Sequence, residues 1–213
     1  RSSAASDVYK RQDTENMLAE YNAGFKQDMR RFLKSDEGMI SGAEFHVRRN
    51  TGSFGTINYM ANQDGFTLYD TVAYNYRHNE ANGEDNRDGS EFNYSWNCGI
   101  EGATRKQAIR KMREQQMRNA FLMLLLSQGT PMIYGGDEFA NSQAGNNNAW
   151  CQDNAVGWTD WKNAKKQENL STFVKEAIAF RKKHPILHMP QEMRGVDYLS
   201  LIHISEPTRL LSI

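Results

Sequence analysis

The sequence predicts an α/β fold, the truncated C-terminal portion of a (β/α)8 TIM barrel, and three observations carry that prediction. Helical periodicity alternates with short apolar strands and polar loops in the order helix, strand, loop, helix, strand, loop, helix. The stretch 55–63 ends on Asp64 and is followed by Gly65; a carboxylate at the carboxyl end of a strand, before a turn, is how barrel enzymes present a catalytic group. The chain has 213 residues, whereas a complete barrel takes about 250.

The elements follow in order. From Asp13 to about Leu33, Met17, Leu18, Tyr21, Phe25, Met29, Phe32 and Leu33 recur three or four residues apart, which predicts a helix ended by Asp36-Glu37-Gly38. A Gly-containing loop crosses 50–55, and a strand at 56–61 leads to Asp64. Residues 75–103 are dense in Asn, Gly, Asp and Glu, a long loop of the kind that carries function. Thr104-Arg105-Lys106-Gln107 reads as a capping box. The helix it opens runs to about Ser127, buries Ile109, Met112, Met117, Phe121, Leu124 and Leu125, and stops at Gly129. Pro131-Met132-Ile133-Tyr134 is a short buried strand, Gly135-Gly136-Asp137-Glu138 turns the chain out, and an Asn-rich loop follows. Ser171 or Thr172 begins a last helix that Pro185 ends.

Composition narrows the function classes. Lys plus Arg and Asp plus Glu both count 26, so no charge imbalance points to nucleic acid or another polyanion. A mean hydropathy of −0.77 is low for a compact domain, while 11% aromatic residues argue against simple disorder. That combination fits a fragment rich in polar loops. Cys98 and Cys151 are the only cysteines, outside any metal-ligand spacing, and read as free thiols in a reducing compartment, a disulfide being the alternative, so the expected location is cytoplasmic. No apolar run approaches the roughly 18 residues of a membrane span. Residues 1–12 and 199–213 resemble translated sequencing-adapter read-through and are set aside as artefactual tails; the alternative is an ordinary N-terminus and a short C-terminal strand and turn.

Several blocks carry a family resemblance: Gln63-Asp64-Gly65-Phe66-Thr67-Leu68, His78-Asn79-Glu80-Ala81-Asn82-Gly83-Glu84, Asn86-Arg87-Asp88-Gly89, Ser95-Trp96-Asn97-Cys98-Gly99, Leu126-Ser127-Gln128-Gly129-Thr130-Pro131, Gly136-Asp137-Glu138 and Gly145-Asn146-Asn147-Asn148-Ala149-Trp150-Cys151-Gln152-Asp153-Asn154. In this order and spacing they resemble the isoamylase and glycogen-debranching branch of the α-amylase glycoside hydrolase superfamily, over roughly residues 14–190. The resemblance implies that residues 13–187 are the C-terminal part of a catalytic barrel and that 188–198 begin a small β domain. It implies hydrolysis of α-1,6 branch points in glycogen or starch-like glucans, with no organic cofactor and no dedicated metal loop.

Retaining glycoside hydrolysis takes a nucleophile and an acid/base about 5 Å apart, to which this superfamily adds a third carboxylate that stabilises the transition state. By resemblance Asp64 is that third group; read without it, an Asp before Gly is a turn residue. The nucleophile and acid/base are expected upstream of residue 13, so this chain by itself is not expected to catalyse. Glu80, Glu84, Asp88, Asp137 and Glu138 match loop positions and are not assigned those roles.

Gln63 departs from the family pattern, which usually has His before this Asp. A Gln amide also donates a hydrogen bond but carries no positive charge. Either this is a working variant with altered substrate contact, or a non-catalytic glucan-binding or regulatory paralogue. Trp150 is the aromatic residue expected to stack on sugar, and Asn146 and Asn147 offer paired donors and acceptors to hydroxyls, although the Asn run also fits plain turn chemistry. His78 is expected to be exposed, to contact substrate or to make a structural hydrogen bond. The partner expected is an α-glucan polysaccharide, with neither nucleic acid nor membrane.

Overall fold

The computed structural model describes residues 19–50, 55–190 and 192–193. The tails 1–12 and 199–213, and most of the expected β-domain start, lie outside the described residues. Three short strands, β1 (Ala19–Tyr21), β2 (Gly55–Tyr59) and β3 (Thr130–Met132), form a parallel sheet in the order β1-β2-β3. Tyr21 lies opposite Ile57, and Tyr59 opposite Met132. Helices α1 (Ala23–Leu33), α2 (Ile40–Arg48), α3 (Leu68–Thr71), α4 (Gln107–Leu126), α5 (Trp161–Lys166) and α6 (Glu168–Lys183) fill the connections.

Asn22 divides β1 from α1, and so corrects the single helix expected over 13–33, of which 13–18 lie outside the described residues. Its backbone N–H donates to Ile57 O at 2.9 Å, in sheet fashion. Its side chain accepts from Phe25 N at 3.0 Å, which caps α1, and donates to Asn58 Oδ1 at 2.8 Å. Tyr21 fits a helical spacing yet belongs to the strand. The helix α2 is not announced by the sequence: it is short, contains Gly42, leaves Ile40 and Phe45 exposed and buries Ala43 and His46.

Met117, Phe121 and Leu124 of α4 join Phe25, Met29 and Leu33 of α1 and Leu170 and Val174 of α6 in one apolar cluster. Ile109 is half-buried against it, but Met112 is exposed, and Arg113 is buried in the same turn of the helix. The guanidinium of Arg113 donates to Gly102 O at 2.7 Å, to Asn97 O at 3.0 Å and to Ile100 O, so a cation gathers carbonyls that the irregular loop leaves unpaired. The expected capping box does not form, because α4 starts at Gln107 itself and Lys106 is the cap; Thr104 Oγ1 instead accepts from Lys106 N at 3.2 Å.

At the other end of α4, Arg181 donates to Leu125 O at 2.7 Å and to Ser127 O and Gly129 O at 2.6 Å, taking up carbonyls that a helix terminus leaves free. A Cβ on Gly129, at φ +83°, would lie 3.0 Å from Thr56 O, so the turn into β3 approaches β2 more closely than a side chain allows. The strand β3 is half-buried rather than buried, because it pairs only with β2 among the described residues and forms an edge. The last helix begins at Glu168, ahead of the expected Ser171, and is preceded by α5, which the Asp160 side chain caps at 3.0 Å from Lys162 N. Both cysteines are free, Cys98 buried and Cys151 exposed. Among the described residues no helix is long and apolar enough to cross a membrane.

Candidate active-site turn

The chain leaves β2 through buried Met60, Ala61 and Asn62, exposes Gln63 and Asp64, and turns at Gly65 with φ +112°. Arg30 of α1 sits beneath this turn, 2% exposed. It donates to Met60 O at 2.7 Å and Phe66 O at 3.1 Å, on the two sides of Asp64, and to Asn93 O at 3.0 Å. One rigid guanidinium fork therefore fixes both ends of the segment that carries Gln63 and Asp64.

One turn earlier on α1, Lys26 places its ammonium 5.5 Å from the centre of the Tyr59 ring and 3.5 Å from Asp64 O. Burial lowers the Lys26 pKa, the Arg30 charge lowers it further, and the Asp64 carboxylate opposes both.

Two buried carboxyls fasten the following loops. Asp137 accepts from Leu68 N at 2.9 Å, and burial raises its pKa to about 7 despite the Arg30 charge. Asp70 accepts from Ser142 Oγ at 2.5 Å, Gln143 N at 2.8 Å and Gly145 N at 3.3 Å, and burial raises its pKa to about 6. The loop after β3 is thereby held against the loop after β2. Gly65 N reaches Asn147 O at 3.1 Å, and His78 N reaches Gly145 O at 2.7 Å.

Asn146 and Asn147, expected either to meet sugar hydroxyls or to serve turn chemistry, are each 2% exposed, with their side chains engaged inside the chain. Asn147 spends its amide on Ser90 O and Asn93 Oδ1, both at 2.8 Å, and accepts from Asn79 Nδ2 at 2.8 Å. Asn146 donates to Asn82 Oδ1 at 2.8 Å. The physical reason is that two irregular loops meet here, and their backbone groups need partners that only side-chain amides supply. His78 is half-buried rather than exposed; its Nε2 lies 3.2 Å from Glu101 Oε1 and its ring packs edge-on against Tyr74. Burial alone would raise the Glu101 carboxyl, but the Asn75 and Tyr76 backbone N–H groups, the Asn97 amide and His78 outweigh it and hold the pKa below the usual value.

The structure therefore brings Gln63 and Asp64 to the surface beside the backbone of Asn147, with His78 against Gly145 one loop away. Trp150 stands 85% exposed on a 3-10 turn, Ala149–Cys151. Sequence reasoning missed Lys26, Arg30, Asn79 and Asp70. For Asp70 a signal exists, a lone carboxylate among Leu68, Val72 and Ala73; for Arg30 none does, since its neighbour Arg31 looks the same in sequence.

No protein-family profile matches the chain. It is 40% identical over 190 residues to the Mycobacterium bovis "Glycogen operon protein GlgX homolog", covering 84% of this chain and 26% of that protein. It is 41% identical over 188 residues to a Dickeya chrysanthemi glycogen debranching enzyme, covering 84% of this chain and 28% of the relative. With the chloroplastic isoamylase 3 of Oryza sativa subsp. japonica the identity is 39% over 188 residues, covering 84% of this chain and 24% of the relative. The chain thus spans about a quarter of the length of the curated relatives it matches. Among solved structures, a pullulanase from Bacillus acidopullulyticus superposes with a TM-score of 0.57 at 20% identity, over 80% of this chain and 19% of that one, a likeness of fold.

Proposed function

We propose that this chain, a homologue of one segment of the glycogen-debranching and isoamylase proteins, is the C-terminal part of the catalytic barrel of an α-1,6-glucan debranching hydrolase. The observation that carries this reading is the presentation of Asp64: an exposed carboxylate beyond the carboxyl end of a parallel strand, on a turn braced by Arg30 and by the Asn147 carbonyl. A group that stabilises developing charge on a sugar ring has to be held in place before the substrate arrives, because reorganisation during the reaction would offset its effect.

In this reading the parent enzyme is cytoplasmic, acts on glycogen or related branched α-glucans by retaining double displacement, and needs no organic cofactor. Residues 13–187 belong to the catalytic barrel and 188–198 lead into a β domain. Asp64 hydrogen-bonds the hydroxyls of the sugar being cleaved, Gln63 donates its amide beside it, and Trp150 offers an aromatic face. The nucleophile and acid/base come from parts of the protein this chain does not contain, so the chain alone does not cleave glucan. Gln63 favours a second reading, a paralogue that binds glucan without cleaving it, since an amide cannot supply the positive charge of an imidazolium.

The test is to read the gene across both ends of residues 13–198 and to assay its complete product for release of linear chains from glycogen. Debranching that D64N abolishes supports the hydrolase. Glycogen binding without cleavage supports the paralogue, and neither activity overturns both.

A further inference from the structure

The helix α2 is fastened to α1 by few contacts, and one of them titrates. Of its nine residues only Ala43 and His46 are buried. Two glycines let the helices approach: a Cβ on Gly24 of α1 would lie 3.4 Å from His46 Cε1, and one on Gly42 of α2 would lie 3.2 Å from Asp28 Oδ2. In the space this leaves, His46 Nε2 meets Asp28 Oδ2 at 3.1 Å.

The surroundings of the imidazole suit one protonation state. The Phe25 and Phe45 rings stand edge-on to it, with centroids at 5.8 and 5.2 Å. Its Nδ1 is buried without a hydrogen-bond partner among the described residues. An ionised carboxylate only accepts, so Nε2 carries the proton and Nδ1 keeps its lone pair. A lone pair buried there costs less than a second N–H that bears positive charge and finds no acceptor. Asp28 is the charged group that α1 presents to the ring. On the side of α2, Arg49 stacks over the Phe45 ring at 5.0 Å, and Glu44 and Arg48 face each other at 3.9 Å.

We propose that the contact between His46 and Asp28 is an acid-sensitive latch, in which protonation of His46 releases α2 from α1 while the apolar core stays folded. A helix held by two buried side chains opens at a lower free energy than the core on which it lies. Burial, the largest influence, lowers the pKa of His46; the Asp28 carboxylate opposes it, and the Arg49 charge adds to it. With α2 released the ring returns toward its ordinary 6.5. Docking is therefore strongest above that pH and weakens as the pH falls below it. The joint borders on both ends of the sheet connection, since α1 carries Arg30 beneath the Asp64 turn and Val47 O of α2 accepts from Gln128 N at 2.9 Å before β3.

The experiment follows amide exchange by mass spectrometry in the complete gene product at about pH 7.5 and about pH 5.5, for wild type, H46Q and H46F. Protection factors are corrected for the pH dependence of intrinsic exchange. In the wild type, protection of residues 40–48 is expected to fall several-fold at the lower pH, while residues 117–124 keep theirs. The ceiling is about tenfold, because the lower pH lies about one unit below the ordinary value of the ring. H46Q offers Asp28 an amide donor and H46F fills the space between the rings. Neither takes up a proton, so the pH-dependent fall is expected to vanish in both, whatever their protection at the higher pH. In isotope-labelled wild type, the His46 ring should show the Nε2–H form at neutral pH and titrate together with the opening of 40–48. Equal wild-type protection at the two pH values overturns the latch, as does a fall that survives in H46Q and H46F or a ring that carries its proton on Nδ1.

Discussion

Ser142 donates its hydroxyl to Asp70 Oδ1 at 2.5 Å across 72 residues of sequence, and through this contact the loop after β3 closes over the loop after β2. Gln143 N and Gly145 N donate to the other oxygen. D70A would leave three donors without their acceptor, each at about 1–3 kcal/mol if it stays buried. The expected outcome is a loss of at least about 2 kcal/mol in stability and rapid amide exchange confined first to residues 142–147. Unchanged protection of those amides would show that the carboxyl does not hold the loop.

Burial raises Asp70 to about 6 and Asp137 to about 7, so from about pH 4 upward the folded chain holds protons that the unfolded chain has lost. Each carboxyl therefore contributes a fall in stability as the pH rises from 4, complete above about 6 for Asp70 and about 7 for Asp137. His46, lowered by burial, acts in the opposite direction, because the folded state disfavours its protonation as the pH falls. D137N keeps an oxygen for the Leu68 N–H and has no charge to bury. Its advantage over the wild type is expected to be larger at pH 8 than at pH 5 by at least about 1 kcal/mol, close to one pKa unit. Denaturant curves at the two pH values decide this, and an equal difference at both would exclude Asp137 as the source.

Gly145 and Gly38 separate backbone strain from overlap. Both have positive φ, +78° and +74°, but a Cβ on Gly145 would lie 2.6 Å from Tyr74 Cδ1 and 2.8 Å from His78 Cδ2, whereas nothing stands within 4 Å of one on Gly38. G38A is expected to cost about 1 kcal/mol, the conformational penalty alone. G145A should cost more, about 2–3 kcal/mol, and should also reduce glucan cleavage by the complete protein, because it displaces the loop whose Asn147 carbonyl meets Gly65. Equal destabilisation by the two substitutions would contradict the overlap.

Much of this architecture is legible in the sequence because it rests on apolar periodicity: Phe25, Met29 and Leu33, and Met117, Phe121 and Leu124, are buried as the spacing predicts. What was not legible is the polar interior. Asn146 and Asn147 look like surface amides in a run of Asn, and nothing local says that Asn82, 64 positions before Asn146, and Asn79, 68 positions before Asn147, need their hydrogen bonds. Arg30, Arg113 and Arg181 are buried because irregular loops and helix ends present carbonyls in clusters, a property of tertiary geometry that no residue pattern encodes. The boundary between β1 and α1 was missed for a related reason: Asn22 serves the sheet and the cap at once.

Arg30 offers a test of that account. Its fork meets three carbonyls, Met60 O, Phe66 O and Asn93 O, and a lysine has neither the planar geometry nor the span to replace it. R30K is therefore expected to be nearly as damaging as R30M, each by about 3 kcal/mol or more, seen as a lowered denaturation midpoint or loss of soluble protein. A lysine variant of near wild-type stability would mean that charge alone, rather than the bridging of the Asp64 turn, is what the position requires.

Asp64 is expected to behave in the opposite way. Its side chain is exposed, and among the described residues only its backbone oxygen takes a hydrogen bond, from Lys26. D64N should therefore change stability by no more than about 0.5 kcal/mol. In the complete protein the same substitution should lower kcat by at least about 10²-fold, as removal of a charge-stabilising group does, with glycogen retention preserved. Thermal melting and initial-rate kinetics on one preparation separate the two effects. A D64N protein that cleaves glycogen normally would remove the central residue of the proposed site, whereas one that melts early would show that the carboxylate braces the turn instead of serving the substrate.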